Sequence, residues 1–157
     1  MDAVVASVIA VVGTLLGVTV TYVFQRLNAH QANLIAHQDR VWRERLAAYS
    51  EFAGAVTELL RANTSLWFVV HRPDDFSAQA RRDAYTEADR LAATTTHARL
   101  RVQLVTGDPV LLARADAALE PMGAVRNATD QDELAWHERR CRQLITDFIN
   151  AAGERIR

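Results

Sequence analysis

Hydrophobic and polar positions change rhythm once along this chain. Ala3 to Phe24 is one uncharged apolar run, AVVASVIAVVGTLLGVTVTYVF, and from Gln25 onward charged residues recur at helical spacing. A helix over that run reaches about 33 Å, enough to cross a hydrocarbon core of about 30 Å. The chain opens Met1-Asp2, with no positive n-region, and passes straight into polar sequence after Phe24. The pattern therefore predicts an uncleaved transmembrane anchor over 1–24 rather than a signal peptide.

Within the run, Ala6, Ala10, Gly13, Gly17 and Thr21 share one helical stripe. The Gly13 to Gly17 spacing is the one that lets two membrane helices approach closely, so Gly13 and Gly17 are the candidate membrane-packing residues. No basic side chain precedes the run, whereas Arg26, Arg40 and Arg43 follow it. That asymmetry predicts a single-pass protein of the cell membrane with its C-terminal domain in the cytoplasm. The lone Cys141 agrees with a reducing compartment.

Residues 25–38 lack Pro and Gly, and Leu27, Leu34 and Val41 fall seven apart, which predicts a helical stalk. The remainder, 39–157, reads as one helical bundle domain. Its first helix carries Trp42, Leu46, Tyr49, Ala53, Val56, Leu60, Trp67 and Val70 at spacings of three and four, interrupted by Asn63 and widened by Phe52, Leu59 and Leu66. Gly54, between two alanines, suggests a close helix crossing. Pro73 with Asp74 and Asp75 ends the helix.

Ser77 is the expected cap of a second helix to Thr106, with Ala84, Tyr85, Ala88, Leu91, Ala92, Thr95, Val102 and Val105 inward. Leu100, Val102 and Leu104 alternate as in a strand, but a lone strand has no partner, so helix prevails. Gly107 closes that helix, and Asp108-Pro109 opens a third with a capping carboxylate and proline at the first helical position. Pro121 and Gly123 should kink or end it. Asp130 and Glu133 have capping-box spacing before a last helix that turns Leu134, Cys141, Leu144, Ile145, Phe148, Ala152 and Ile156 inward. The fold class is therefore all-α: an N-terminal transmembrane helix continuing into an antiparallel bundle of about four helices with short loops.

Chemistry is sparse. No phosphate-binding glycine loop, nucleophile elbow or dinucleotide fingerprint occurs, so the reading is no enzyme, no catalytic residue and no cofactor. His137 and Cys141 lie one helical turn apart in HERRC, as in a zinc-protease helix with its second histidine replaced, but zinc needs a third ligand and Cys141 sits at a core position. No metal site is assigned. His30 and His37 read as polar positions of the stalk. Asn127-Ala128-Thr129 matches a glycosylation sequon that a cytoplasmic turn would never present to the enzyme.

All eighteen basic side chains are arginine and the formal net charge is −1, which lacks the excess of a dedicated nucleic-acid binder. The clusters Arg81/Arg82, Arg99/Arg101 and Arg139/Arg140/Arg142 are interleaved with acids, so nucleic-acid contact would be weak, unspecific and salt-dependent. Leu66-Trp67-Phe68-Val69-Val70 covers every side of a helix. With Trp67 and Val70 on the core stripe, Phe68 and Val69 are the expected outward-facing partner surface.

Several segments in order resemble a known group: V-V-G-T-L-L-G in the apolar run, R-x-R-L-A-A-Y-S-E-F-A from Arg43 to Ala53, D-A-Y-T-E-A from Asp83 to Ala88, and A-R-L-R-V-Q-L-V from Ala98 to Val105. Together they resemble the KilB-type membrane-associated proteins of mycelial actinobacteria. The resemblance implies an accessory of plasmid spread or intercellular DNA transfer, and it brings no functional residues with it. The expected function is thus a non-enzymatic, membrane-anchored helical interaction or scaffold protein that binds protein partners or a second copy, with no small-molecule substrate. Two alternatives stay open. A membrane-tethered DNA-binding protein is favoured if the arginine clusters converge on one face, and a small-ligand sensor requires a cavity lined by convergent polar groups.

Overall fold

In the computed structural model the described residues are 39–156, and all their regular structure is helical. α1 occupies 39–71, a 3₁₀ turn follows at Pro73–Asp75, and then come α2 (Ala78–Val105), α3 (Pro109–Leu119), α4 (Met122–Arg126) and α5 (Gln131–Ile156). The anticipated anchor, stalk, Gly13, Gly17, His30 and His37 lie outside the described residues. Among the described residues, no helix is long and apolar enough to cross a membrane.

The helix boundaries follow local chemistry. The Ser77 hydroxyl accepts from the Ala80 N–H at 3.1 Å. Asp108 accepts from the N–H groups of Val110 and Leu111 at 2.8 and 3.2 Å, with Pro109 at the first helical position. The last cap departs from the expected box by one residue. The Glu133 N–H donates to Asp130 Oδ1 at 2.8 Å as anticipated, but the Glu133 carboxylate reaches back to Thr129, accepting from its N–H at 2.7 Å and its hydroxyl at 2.6 Å. Gly107 adopts no left-handed conformation, and α2 already ends at Val105 with Thr106 as cap.

Contacts far apart in sequence fix the topology. Trp42 Nε1 donates to the Ile156 carbonyl at 2.9 Å and the Thr64 hydroxyl to Glu138 Oε1 at 2.6 Å, so α1 and α5 run antiparallel. Arg45 Nε donates to the Val105 carbonyl at 3.1 Å, Arg101 pairs with Glu51, and the Thr95 hydroxyl lies 3.2 Å from the Ala55 carbonyl, so α1 and α2 are antiparallel as well. Arg99 forks onto Asp116 of α3 at 2.6 and 2.9 Å. Arg155 of α5 pairs with Asp108 at the start of α3, and Ala117 shares a groove with Leu144. α1, α2, α3 and α5 thus alternate in direction around one core, an up-down-up-down bundle.

That core is built on Phe52, Val56, Val102, Leu111, Val125, Cys141 and Phe148, all essentially without solvent contact. The Phe52 and Phe148 rings meet edge-on with centroids 4.8 Å apart, and Tyr49 approaches Phe148 at 6.3 Å. Each such ring contributes about 1.5–3 kcal/mol through burial. Asn63, the one interruption of the α1 stripe, is buried because its amide donates to the Met122 carbonyl at 3.2 Å, where the chain breaks between α3 and α4.

Several orientations differ from expectation. Gly54 is exposed, and a Cβ there would meet nothing within 4 Å, so no helix crosses it. Trp42, Leu46 and Tyr85 are exposed rather than inward, the Tyr85 ring lying under the Arg126 guanidinium at 5.1 Å. The largest correction concerns Phe68 and Val69. Val69 is buried, Phe68 is half-buried against the core, and Val70 is the outward residue. The reason is that α1 has two neighbours. Besides the row that meets α5, it carries a second row toward α2, in which Ala55 contacts Thr95 and Ala62 shares a groove with Ala84 and Leu91; Leu66 and Val69 are buried at later positions of the same helix.

Candidate interaction surface

The bundle's exposed large apolar side chains are not evenly spread. Trp42, Leu46, Leu100, Leu104, Val110 and Ile149 all lie where α1 begins, α2 ends, α3 begins and α5 ends. At the opposite end are Val70, Phe76, Trp136 and Tyr85, the last shielded by Arg126.

Leu100 and Leu104 are the clearest case, one turn apart on α2 and 51% and 86% exposed. Interhelical ion pairs flank them. Arg99 leans toward α3 to reach Asp116, and Arg101 leans toward α1 to reach Glu51. Position 100 lies between these two anchored neighbours and faces away from the core, as does 104 one turn on. The Arg45 bond to the Val105 carbonyl fastens the last turn of the same helix. Val110, 53% exposed, adds an apolar position on the first turn of α3. Isolated exposed leucines are ordinary, but a pinned pair beside further apolar side chains at one end of a domain has the composition of a contact surface.

On the other flank of that end, α1 and α5 leave an apolar groove of about 280 Å³ floored by Tyr49, Phe148 and Ala152 and rimmed by Leu46, Ile149 and Ile156. Farther along the same helix pair lies a more polar groove of about 540 Å³, with Leu60 and Ile145 beneath and Arg61, Ser65, Glu138 and Arg142 among its walls. Sequence reasoning missed both grooves, because each needs α1 and α5, at opposite ends of the described residues, to face one another.

The arginine clusters occupy different places. Arg81 and Arg82 open α2, Arg99 and Arg101 lie near its other end in ion pairs, and Arg142 contacts Glu138 at 3.4 Å on α5. His137 and Cys141 do lie on neighbouring turns of α5. His137 Nε2 is 3.5 Å from Glu133 Oε1, its Nδ1 is buried without a partner among the described residues, and no group of three or more potential metal ligands forms among them. Cys141 is a core residue, and burial pushes its thiol up to about 11. The Ala128 of the sequon is buried, and Thr129 is engaged by Glu133.

An all-helical up-down-up-down domain with exposed apolar side chains gathered at one end is the class that fold and surface define. The family model for KilB plasmid transfer protein matches residues 46–156, nearly the whole bundle, and the chain belongs to that family. No curated protein and no solved structure matches the chain.

Proposed function

We propose that this chain is a non-enzymatic, membrane-anchored helical scaffold that serves plasmid spread or intercellular DNA transfer by holding protein partners, or a second copy of itself, at the cytoplasmic face of the cell membrane. Membership of a plasmid transfer family supports the process. The uncharged run from Ala3 to Phe24 and the arginines that follow it support the anchor and its orientation. The exposed Leu100–Leu104 pair, held between two interhelical ion pairs, carries the scaffold reading.

The test compares Leu104→Glu and Leu100→Ser/Leu104→Ser with the parent chain in the host cell and in purified form. Both variants should melt within about 0.5 kcal/mol of the parent, as surface changes usually do. They should lose crosslinks to partners or to a second copy and lower plasmid spread. Parent-level spread and crosslinking by both folded variants would overturn the proposal.

A further inference from the structure

The more polar of the two α1–α5 grooves contains more hydrogen-bond donors than its surroundings use. Arg61 and Ser65 stand on the α1 wall, and neither has a partner among the described residues. Arg142 stands on the α5 wall, where its one contact is the marginal 3.4 Å bond from Nη2 to Glu138 Oε2. Arg61 and Ser65 stand on the ridge between this groove and the α1–α2 groove lined by Glu58 and Glu87, so most of two guanidinium groups and one hydroxyl remain available along its edge.

The remaining polar groups are already committed, and the commitments leave a pattern. The Thr64 hydroxyl donates to Glu138 Oε1 at 2.6 Å, which holds the groove's one carboxylate against the wall. The Thr57 and Thr146 hydroxyls donate to the Ala53 and Arg142 carbonyls at 2.7 and 2.8 Å, so each has only acceptor capacity to offer a ligand. Beneath them Leu60 and Ile145 form a buried apolar floor. Two arginine forks match the oxygens of a phosphate group, the apolar floor suits the body that carries it, and a groove of about 540 Å³ lies within the range of small-molecule sites.

We propose that the α1–α5 groove binds a small organic phosphate, its phosphoryl oxygens bridged by Arg61 and Arg142 with Ser65 and its apolar portion seated on Leu60 and Ile145. A nucleic-acid backbone is the weaker fit, since it requires a track of cations rather than two across a short concavity. Glu138 sets the affinity. It competes with the ligand for Arg142 and repels incoming negative charge, so the site is held below its full strength by its own wall.

The experiment is calorimetric titration of the full-length chain at constant ionic strength with phenyl phosphate and with inorganic phosphate. Phenyl phosphate should bind saturably at one site and more tightly than inorganic phosphate. Arg61→Gln and Arg142→Gln should each weaken it about tenfold or more, as loss of a charge-assisted hydrogen bond does. Glu138→Gln should tighten it about threefold or more by removing the competitor. Arg140→Gln, half a turn away on α5, should leave it unchanged, and Ser65→Ala gives a second, charge-neutral probe that should weaken it. Absence of saturable binding up to about 10 mM phenyl phosphate, far above the affinity range of small-ligand sites, would overturn the assignment. So would equal losses in Arg61→Gln and Arg140→Gln, or weaker binding by Glu138→Gln. A short DNA duplex that binds through Arg61 where phenyl phosphate does not would overturn it in favour of a nucleic-acid backbone.

Discussion

Trp67 Nε1 donates to the Ala128 carbonyl at 2.7 Å, joining the last turns of α1 to the loop that precedes α5. Both groups are buried, so neither can turn to water when the other is lost.

Trp67→Phe keeps most of the ring volume but orphans the Ala128 carbonyl, and should cost about 1–3 kcal/mol. Trp67→Ala should cost about 3–5 kcal/mol. Phe68→Ser should fall between Trp67→Ala and Val70→Ser, because Phe68 is half-buried and meets Trp67 edge-on at 5.1 Å, while Val70 faces outward. Urea melts of the three positions give the ranking. A Phe68→Ser variant as stable as the parent would contradict the packing described.

Gly54→Ala should stabilise the bundle by about 0.5–1 kcal/mol. The glycine lies within α1 with ordinary backbone geometry and open space around its absent Cβ. A lower melting temperature for the alanine variant would show that something closes on this position.

Cys141 should resist thiol reagents in the native state and react at the rate of unfolding. Burial raises its thiol to about 11 in the folded chain, above the ordinary value near 8.5. The folded state therefore holds the proton more tightly, and stability falls as pH rises from about 8.5 toward 11. Cys141→Ala should flatten that alkaline slope. Rapid modification at pH 8 under native conditions would contradict the burial.

Acid should weaken the opposite end of the pH range. The Arg155 guanidinium beside Asp108, together with the N–H groups of Leu111 and Val110, holds that carboxyl below its ordinary value, and the bonds from Thr129 do the same for Glu133. Depressed values mean a contribution fully present above the unfolded-state pKa near 4 and lost as pH falls through the folded one. Asp108→Asn with Glu133→Gln should show a shallower loss of stability below about pH 4 than the parent. An unchanged acid limb would remove both groups from the account.

What the sequence discloses follows the range of the interaction. Ser77, Asp108-Pro109 and Pro73 announce helix ends correctly because a cap needs only the backbone two or three residues away. The inward positions of α5 are equally plain, since Leu134, Cys141, Ile145, Phe148 and Ala152 form a single stripe. α1 misleads, because apolar spacing shows which positions suit burial but not how many neighbours the helix has. A second neighbour draws in Val69, while Trp42 and Leu46 are left uncovered where the bundle opens. Asn63 looks like a defect until the Met122 carbonyl, 59 residues on, supplies its acceptor. The surface end and both α1–α5 grooves are wholly non-local, and no spacing rule contains them.

The pairing of α1 with α5 also sets an order of events in the cell. Trp42 meets Ile156 across 114 residues, and Thr64 meets Glu138 across 74. α1 and α2 can associate while the ribosome is still working, but the Phe52–Phe148 contact at the centre of the core cannot form until α5 has emerged. Through that interval one apolar flank of α1 has no cover of its own. Nascent chains are thus most vulnerable to premature aggregation until α5 has emerged, and the ring of helices closes only then.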